Sequence, residues 1–271
     1  MLPYKIPSSR VVKVTARAAL KGRWVEAILA SFTGMFSVLI CTICFSLAAY
    51  SENSIMIAIS AAIIVAMAIF ILAPLFLGIL RYFWRLTNSL DDDLSAVFYF
   101  FAEGKSYRRA LKLTFIIGWR IVTAAFVCML PYAIAGALSG DRLYLLIGQE
   151  IPLWAPNLML IRTFLYVVGI ICAVLYISRY YLVPVLVVMN DDMLLLEAVH
   201  TSSMVAKRSS SAFLGLAFSC IGWIILTNLT LPALYTLPFI IACYAVHSRF
   251  AMANYNLILD YYENNLTGYY Q

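Results

Sequence analysis

Charge is what this sequence has least of. Asp, Glu, Lys and Arg make up only 12% of its 271 residues, and there are two histidines. Soluble domains carry roughly 25% charged residues, so a water-facing surface of ordinary extent is excluded. No polar stretch is long enough to build a separate soluble domain. Several signatures of familiar chemistry are missing as well: no H-E-x-x-H, G-x-S-x-G, P-loop or G-x-G-x-x-G occurs. No catalytic residue, metal site or cofactor is therefore expected, and nothing in the chain resembles a nucleic-acid-binding fold.

What the sequence has in abundance is hydrocarbon. Apolar residues make up 64% of it, and the mean hydropathy is +0.91. Uncharged runs cover 27–51, 54–80 and 209–248. About 20 apolar residues in a helix cross a bilayer core of about 30 Å. The first two runs are one crossing each, and the third is two. Six transmembrane helices are predicted, at 27–50, 55–80, 112–140, 158–178, 212–230 and 231–248. The expected fold is an all-α polytopic bundle of three hairpins with cytoplasmic amphipathic interfacial helices. The first apolar run is too long, and lies too far from the start, for a cleaved signal peptide. It reads as a retained helix. All six cysteines fall inside these spans and read as small apolar filler with free thiols. The Cys41-x-x-Cys44 pair lacks the electropositive, polar setting that redox chemistry needs.

Basic residues orient the chain. Sixteen of the 19 lysines and arginines fall on one side of the six spans, with Arg142 and Arg162 opposite and Arg120 unassigned. Positive loops face the cytoplasm, so both termini are expected there, in the cell membrane. The chain then divides into a basic amphipathic segment at 1–26, a transmembrane domain at 27–258 and a tail at 259–271. The +6 net charge reads as contact with anionic lipid headgroups.

A repeat organises these charges. Arg81-Tyr-Phe, Arg179-Tyr-Tyr and Arg249-Phe close the even-numbered helices, and Asp93, Asp191 and Asp260 follow 12, 12 and 11 residues later. Each arginine, together with Arg85, is expected to snorkel to headgroups at the interface. Asp93 and Asp191 are expected to cap the next interfacial helix. After Asp93, the residues Leu94, Val97, Phe98 and Phe101 have the spacing of one apolar helical face, with Lys105, Arg108 and Arg109 at its C-terminal end. At the N-terminus, Arg10, Lys13, Arg17 and Lys21 share one face, opposite Val12, Ala16 and Ala19. On an anionic leaflet such residues contribute about 1 kcal/mol each. The segment 180–190 is too apolar to be solvated. Either helix 4 continues through a kink at Pro184, burying Arg179, or this piece lies against the bundle.

The C-terminal third carries a recognisable pattern: Ser203-Met204 with Lys207, Ser219–Trp223, Thr230 and Pro238-Phe239. With "ARAALKGRWVEAI" at 16–28, it resembles an uncharacterised family of six-helix bacterial membrane proteins, domain of unknown function 975. The resemblance covers both ends and is weaker in the middle. It implies the six-helix topology and no chemistry.

Polar groups inside apolar runs remain to be weighed. The aspartate clusters lack the second acid, at Ser95 or Leu194, that a magnesium–diphosphate site would use. Glu197 and His200 have di-iron spacing without the partner ligands. Arg120 is either buried in the bilayer or snorkelling, depending on where its helix starts. Arg120 and Asn228 are the candidate intramembrane polar site. Ala58, Ala62 and Ala66, and Gly136 with Gly140, have the spacing of close helix contacts. The function these features favour is a non-enzymatic accessory, scaffold or sensor engaging lipid or another membrane protein. A small transporter or channel is the alternative.

Overall fold

A computed structural model describes residues 7–50, 54–90, 93–138, 155–226 and 230–267. Asp91, Asp92, Arg142, Asn228 and the outer segment around Gln149 lie outside the described residues, as do the side chains of Cys41, Cys44 and Asp260. The described chain is all-α, without a strand. Its helices are α1 (Ser9–Leu20), α2 (Trp24–Tyr50), α3 (Ser54–Met67), α4 (Ala73–Thr87), α5 (Tyr99–Ala102), α6 (Gly104–Leu138), α7 (Ala155–Ile177), α8 (Val183–Met189), α9 (Leu195–Ser219), α10 (Ile221–Leu226) and α11 (Thr230–Thr267).

Among the described residues, four helical stretches are long and apolar enough to cross a membrane: Ile55–Thr87, Gly104–Ala137, Leu160–Met189 and Pro232–Asn256. A fifth is reached if α1 and the first part of α2, bent by 103°, count as one span. The predicted helix at 212–230 is not a unit. Its first half belongs to α9, which begins in the polar segment at Leu195, and the helix breaks at Cys220 before α10. The predicted helix at 231–248 runs on to Thr267, so Asp260 starts no new helix.

The chain forms two compact units, Met1–Thr114 with Leu182–Gln271, and Phe115–Tyr181. In the first, α11 is the central helix. Over half of its apolar window is buried, against 6% for Ile55–Thr87. Small residues make this closeness available: Ala242, Cys243, Ala245 and Val246 are all buried. Helix α1 docks there through Val12, Ala16 and Leu20, spaced by four and each 0% exposed. Gly22, at φ +86°, makes the sharp turn into α2 that other residues reach only with strain. Ala58, Ala62 and Ala66 are exposed, so among the described residues of this unit no helix packs on that stripe.

The second span is not a uniform helix. A π-helical turn at Ala68–Leu72 separates α3 from α4, and the Ala73 N–H reaches back to the Ala68 carbonyl. Pro74 explains it. Proline has no N–H to give the carbonyl four residues back, and its ring crowds that carbonyl. The abandoned group is Phe70 C=O, and the Tyr107 hydroxyl donates to it at 2.9 Å. Tyr107→Phe should therefore cost about 1 kcal/mol, and less in a Pro74→Ala background that restores the helical donor. Thermal unfolding of the four variants in detergent measures the difference.

Beyond α4, the segment after Asp93 is not one amphipathic α-helix. It is a 3-10 turn at Leu94–Phe98, then the single turn of α5, then a break at Glu103 before α6. A three-residue period points Val97 and Phe100 inward and leaves Phe98 and Phe101 exposed, unlike the α-helical face expected. Val97 sits on Gly78: a Cβ at Gly78 would lie 1.8 Å from the Val97 carbonyl oxygen. The part of segment 180–190 from Leu182 on packs within the first unit. Pro184 begins α8, and Val183, Val185, Leu186, Val187 and Val188 are buried.

In the second unit, the later part of α6 meets α7 where Gly169 lets the Cys128 carbonyl approach. Gly136 is covered by the Arg162 guanidinium, which donates to the Tyr132 hydroxyl at 2.9 Å. Gly140 lies outside the described residues.

Candidate functional site

Helix ends decide where the basic side chains go. The last carbonyls of a helix lack intrahelical donors and carry partial negative charge. In the first unit, three cations from distant helices meet such carbonyls. Lys13 Nζ donates to Ser219 C=O, at the end of α9, at 2.6 Å. Arg249 Nη1 donates to Thr87 C=O, at the end of α4, at 2.9 Å. Arg109 Nη2 donates to the carbonyls of Asn190 and Met193 at 2.6 and 2.7 Å, just beyond α8, and its Nη1 bonds the Asp191 carbonyl.

The densest arrangement is centred on Asp191. Its carboxylate accepts from Arg81 Nη1 at 3.2 Å and from the Tyr99 hydroxyl at 3.1 Å, with Arg109 Nη1 at 3.9 Å. The Arg81 guanidinium also lies over the Tyr99 ring, 3.6 Å from its centroid. Arg81 and Arg109 are about one-seventh exposed, whereas Asp191 is half exposed. Two guanidiniums thus share one carboxylate. The cluster fastens α4, the 3-10 turn region, the start of α6 and the loop after α8 to one another. Asp93 does cap, accepting the Leu94 N–H at 2.9 Å. Asp191 does not cap, because α9 starts after Leu194 without a side-chain cap. The capping expected of both aspartates therefore holds for Asp93 and fails for Asp191, which binds arginine instead.

A second cluster gathers the residues that resemble the family pattern. Trp223, just past the break at Cys220, meets Phe239 at a tilt with centroids 5.5 Å apart, and Arg17 lies 5.7 Å from the Phe239 ring. Trp24 meets Tyr235 at 6.3 Å. The opening segment and the C-terminal motifs, more than 200 residues apart, are one contact region. Ser203, from the same pattern, bonds its own helix at His200 C=O.

In the second unit, Arg120 sits within α6, 16 residues after Gly104. It is half-buried, and its Nη1 donates to the Tyr180 hydroxyl at 3.0 Å. Tyr180 in turn donates to the Tyr176 hydroxyl at 3.2 Å. Arg179 is exposed, 5.9 Å from the Tyr176 ring. Arg10, Arg17 and Lys21 are exposed, and Arg85 is half-buried in α4. Lys105, Arg108 and Arg109, expected at the C-terminal end of an interfacial helix, lie instead in the first turns of α6, and sequence reasoning missed Tyr99, Tyr107 and Tyr180. One signal existed for Arg109: in the first turns of α6 a cation faces the positive dipole end, which favours an outside acceptor.

The family profile described as "Protein of unknown function (DUF975)" matches residues 7–253. The chain belongs to this family. The DUF975 match runs from before α1 into α11, so every cluster described above falls within it. No curated protein and no solved structure matches the chain.

Proposed function

We propose that this DUF975 chain is a non-enzymatic accessory, scaffold or sensor of the cell membrane that engages anionic lipid headgroups, or another membrane protein beside them. The observation that carries this reading is α1. Val12, Ala16 and Leu20 are fully buried on the bundle, while Arg10, Arg17 and Lys21 stay exposed along and just after the helix that leads into α2. A docked helix presenting cations next to a crossing helix is a headgroup collar, at about 1 kcal/mol per residue before screening. Anionic phospholipid added to the detergent-solubilised chain should raise Tm more than zwitterionic phospholipid does. Replacing Arg10, Arg17 and Lys21 by glutamine, or adding high salt, should abolish the difference. An equal response to both lipids would sink the proposal.

The topology proposed with it is six crossings in three hairpins, both termini cytoplasmic. Helix α2, 27 residues long, and the broken pair α9–α10 supply the two crossings beyond the four long apolar stretches. Single cysteines at Ser8 and Gln271, in a chain without its native cysteines, should resist an impermeant reagent in intact cells. One at Gln149 should react. External labelling of either terminus would refute the topology.

A small transporter or channel is the second reading, favoured by the Arg120–Tyr180–Tyr176 chain of hydroxyls inside apolar helices. It requires an anion flux through proteoliposomes that Arg120→Gln abolishes.

A further inference from the structure

Where α2, the π-helical turn and the 3-10 segment meet, the first unit has an open groove of about 430 Å³. Its walls are Phe32 and Phe36 of α2, Ile71 within the π-turn and Leu75 just after it, and Phe98 and Phe101 beyond Asp93. The volume is that of a small-molecule site. Its chemistry is hydrocarbon. The two hydroxyl residues in the wall, Thr33 and Ser37, donate to Ala30 and Thr33 carbonyls of their own helix, so neither needs a ligand acceptor. The rings of Phe32, Phe36, Phe98 and Phe101 remain between 40% and 51% exposed. The Phe70 carbonyl released by the π-turn is already met by Tyr107, which removes the nearest backbone acceptor.

We infer that this groove holds one acyl chain of an anionic glycerophospholipid. Two features identify the occupant. Leu75 and Ile71 belong to a stretch long and apolar enough to cross a membrane, so lipid chains are the groove's surroundings. At the other end lies charge: Arg81 is six residues past Leu75, about 9 Å by helical rise. It stacks on Tyr99, which separates Phe98 from Phe100 and Phe101 in the same short segment. Among the described residues, Arg81 and Arg109 both contact the Asp191 carboxylate, so two guanidiniums are gathered at this end, where a phosphate would be attracted. The inward turn of Val97 and Phe100 keeps the groove open, because the 3-10 period turns Phe98 and Phe101 outward to form its wall. The inference rests on the proposed lipid engagement and assigns it a place separate from α1.

The test is photo-crosslinking of the full chain in nanodiscs containing a trace of phospholipid with a diazirine on its acyl chain. Phosphatidylglycerol and phosphatidylcholine versions are compared, and adducts are mapped by peptide mass spectrometry. With phosphatidylglycerol, adducts on 32–37 and 98–101 should exceed several-fold those on Phe164 and Leu175, which are at least as exposed. Thr33→Trp, which fills the groove, should reduce adducts at Phe98 and Phe101 several-fold and leave Phe164 unchanged. Groove labelling no denser than that of Phe164 in the wild-type chain overturns the inference, whatever the variant does. Dense groove labelling with both headgroups upholds an acyl-chain site and overturns its anionic specificity. A lipid-dependent Tm that needs α1, without groove labelling, upholds the collar and overturns the groove.

Discussion

Replacing Gly78 by alanine is expected to unseat the 3-10 segment from α4 and to cost about 3 kcal/mol or more. The new methyl carbon would stand 1.8 Å from the Val97 carbonyl oxygen and 2.7 Å from its carbon. These are backbone atoms, so no rotamer change relieves the overlap. Either α4 and the turn separate or the turn unwinds, and both expose Val97 and Phe100, which are at most 1% exposed. Gly34→Ala is the control. There the added carbon meets only the end of the Ile79 side chain, at 2.9 Å, which can move, and the cost should stay below about 1 kcal/mol. Thermal unfolding of both variants in one detergent measures the contrast. Equal Tm values for the two would show that the segment is not seated as described.

Arg109→Gln is expected to destabilise the first unit by about 2 kcal/mol, more than Asp191→Asn does. The order follows from what each change leaves behind. Without the guanidinium, three carbonyls after α8 lose a charged donor, and a neutral amide reaches one of them at most. Without the carboxylate charge, Arg81 keeps its contact with the Tyr99 ring, and half-exposed Asp191 was already screened by water. The coupling between Arg81 and Asp191 in a double-mutant cycle should be about 1 kcal/mol or less and should fall with added salt. The Arg109 effect should survive salt, because its acceptors are neutral carbonyls. A larger loss for Asp191→Asn, or a salt-sensitive Arg109 effect, would mean that the cluster is held mainly by ion pairing.

The register of the 3-10 segment shows where sequence reading stopped. Leu94, Val97, Phe98 and Phe101 fit an α-helical face, yet Phe100 is the ring that is buried. The apolar pattern is compatible with periods of 3 and 3.6 over so short a stretch, and the seat on Gly78 selects between them. Asp191 has the same lesson. Its spacing from Arg179 matched that of Asp93 from Arg81, but its partner Arg81 is 110 residues away. The three cations at helix ends were legible as basic residues near apolar runs. Their acceptors were not, because a backbone carbonyl has no residue type to read.

Composition alone determined that these helices are apolar on nearly every side, since few charged groups are available to make a water-facing surface. It also set the buried stripe of α1, because Val12, Ala16 and Leu20 recur at helical spacing and are all buried. The π-turn follows from Pro74, a local cause, once its missing donor is considered. Tertiary structure decided the rest: that α11 is central, that α9 carries the polar segment and the next apolar run as one helix, and which carbonyl each cation meets. Hydrophobic transfer acts on any apolar side chain without direction, so it does not select among helices alike in apolarity. The selection comes from close packing of small residues and from hydrogen bonds to particular helix ends, both of which exist only after distant segments have met.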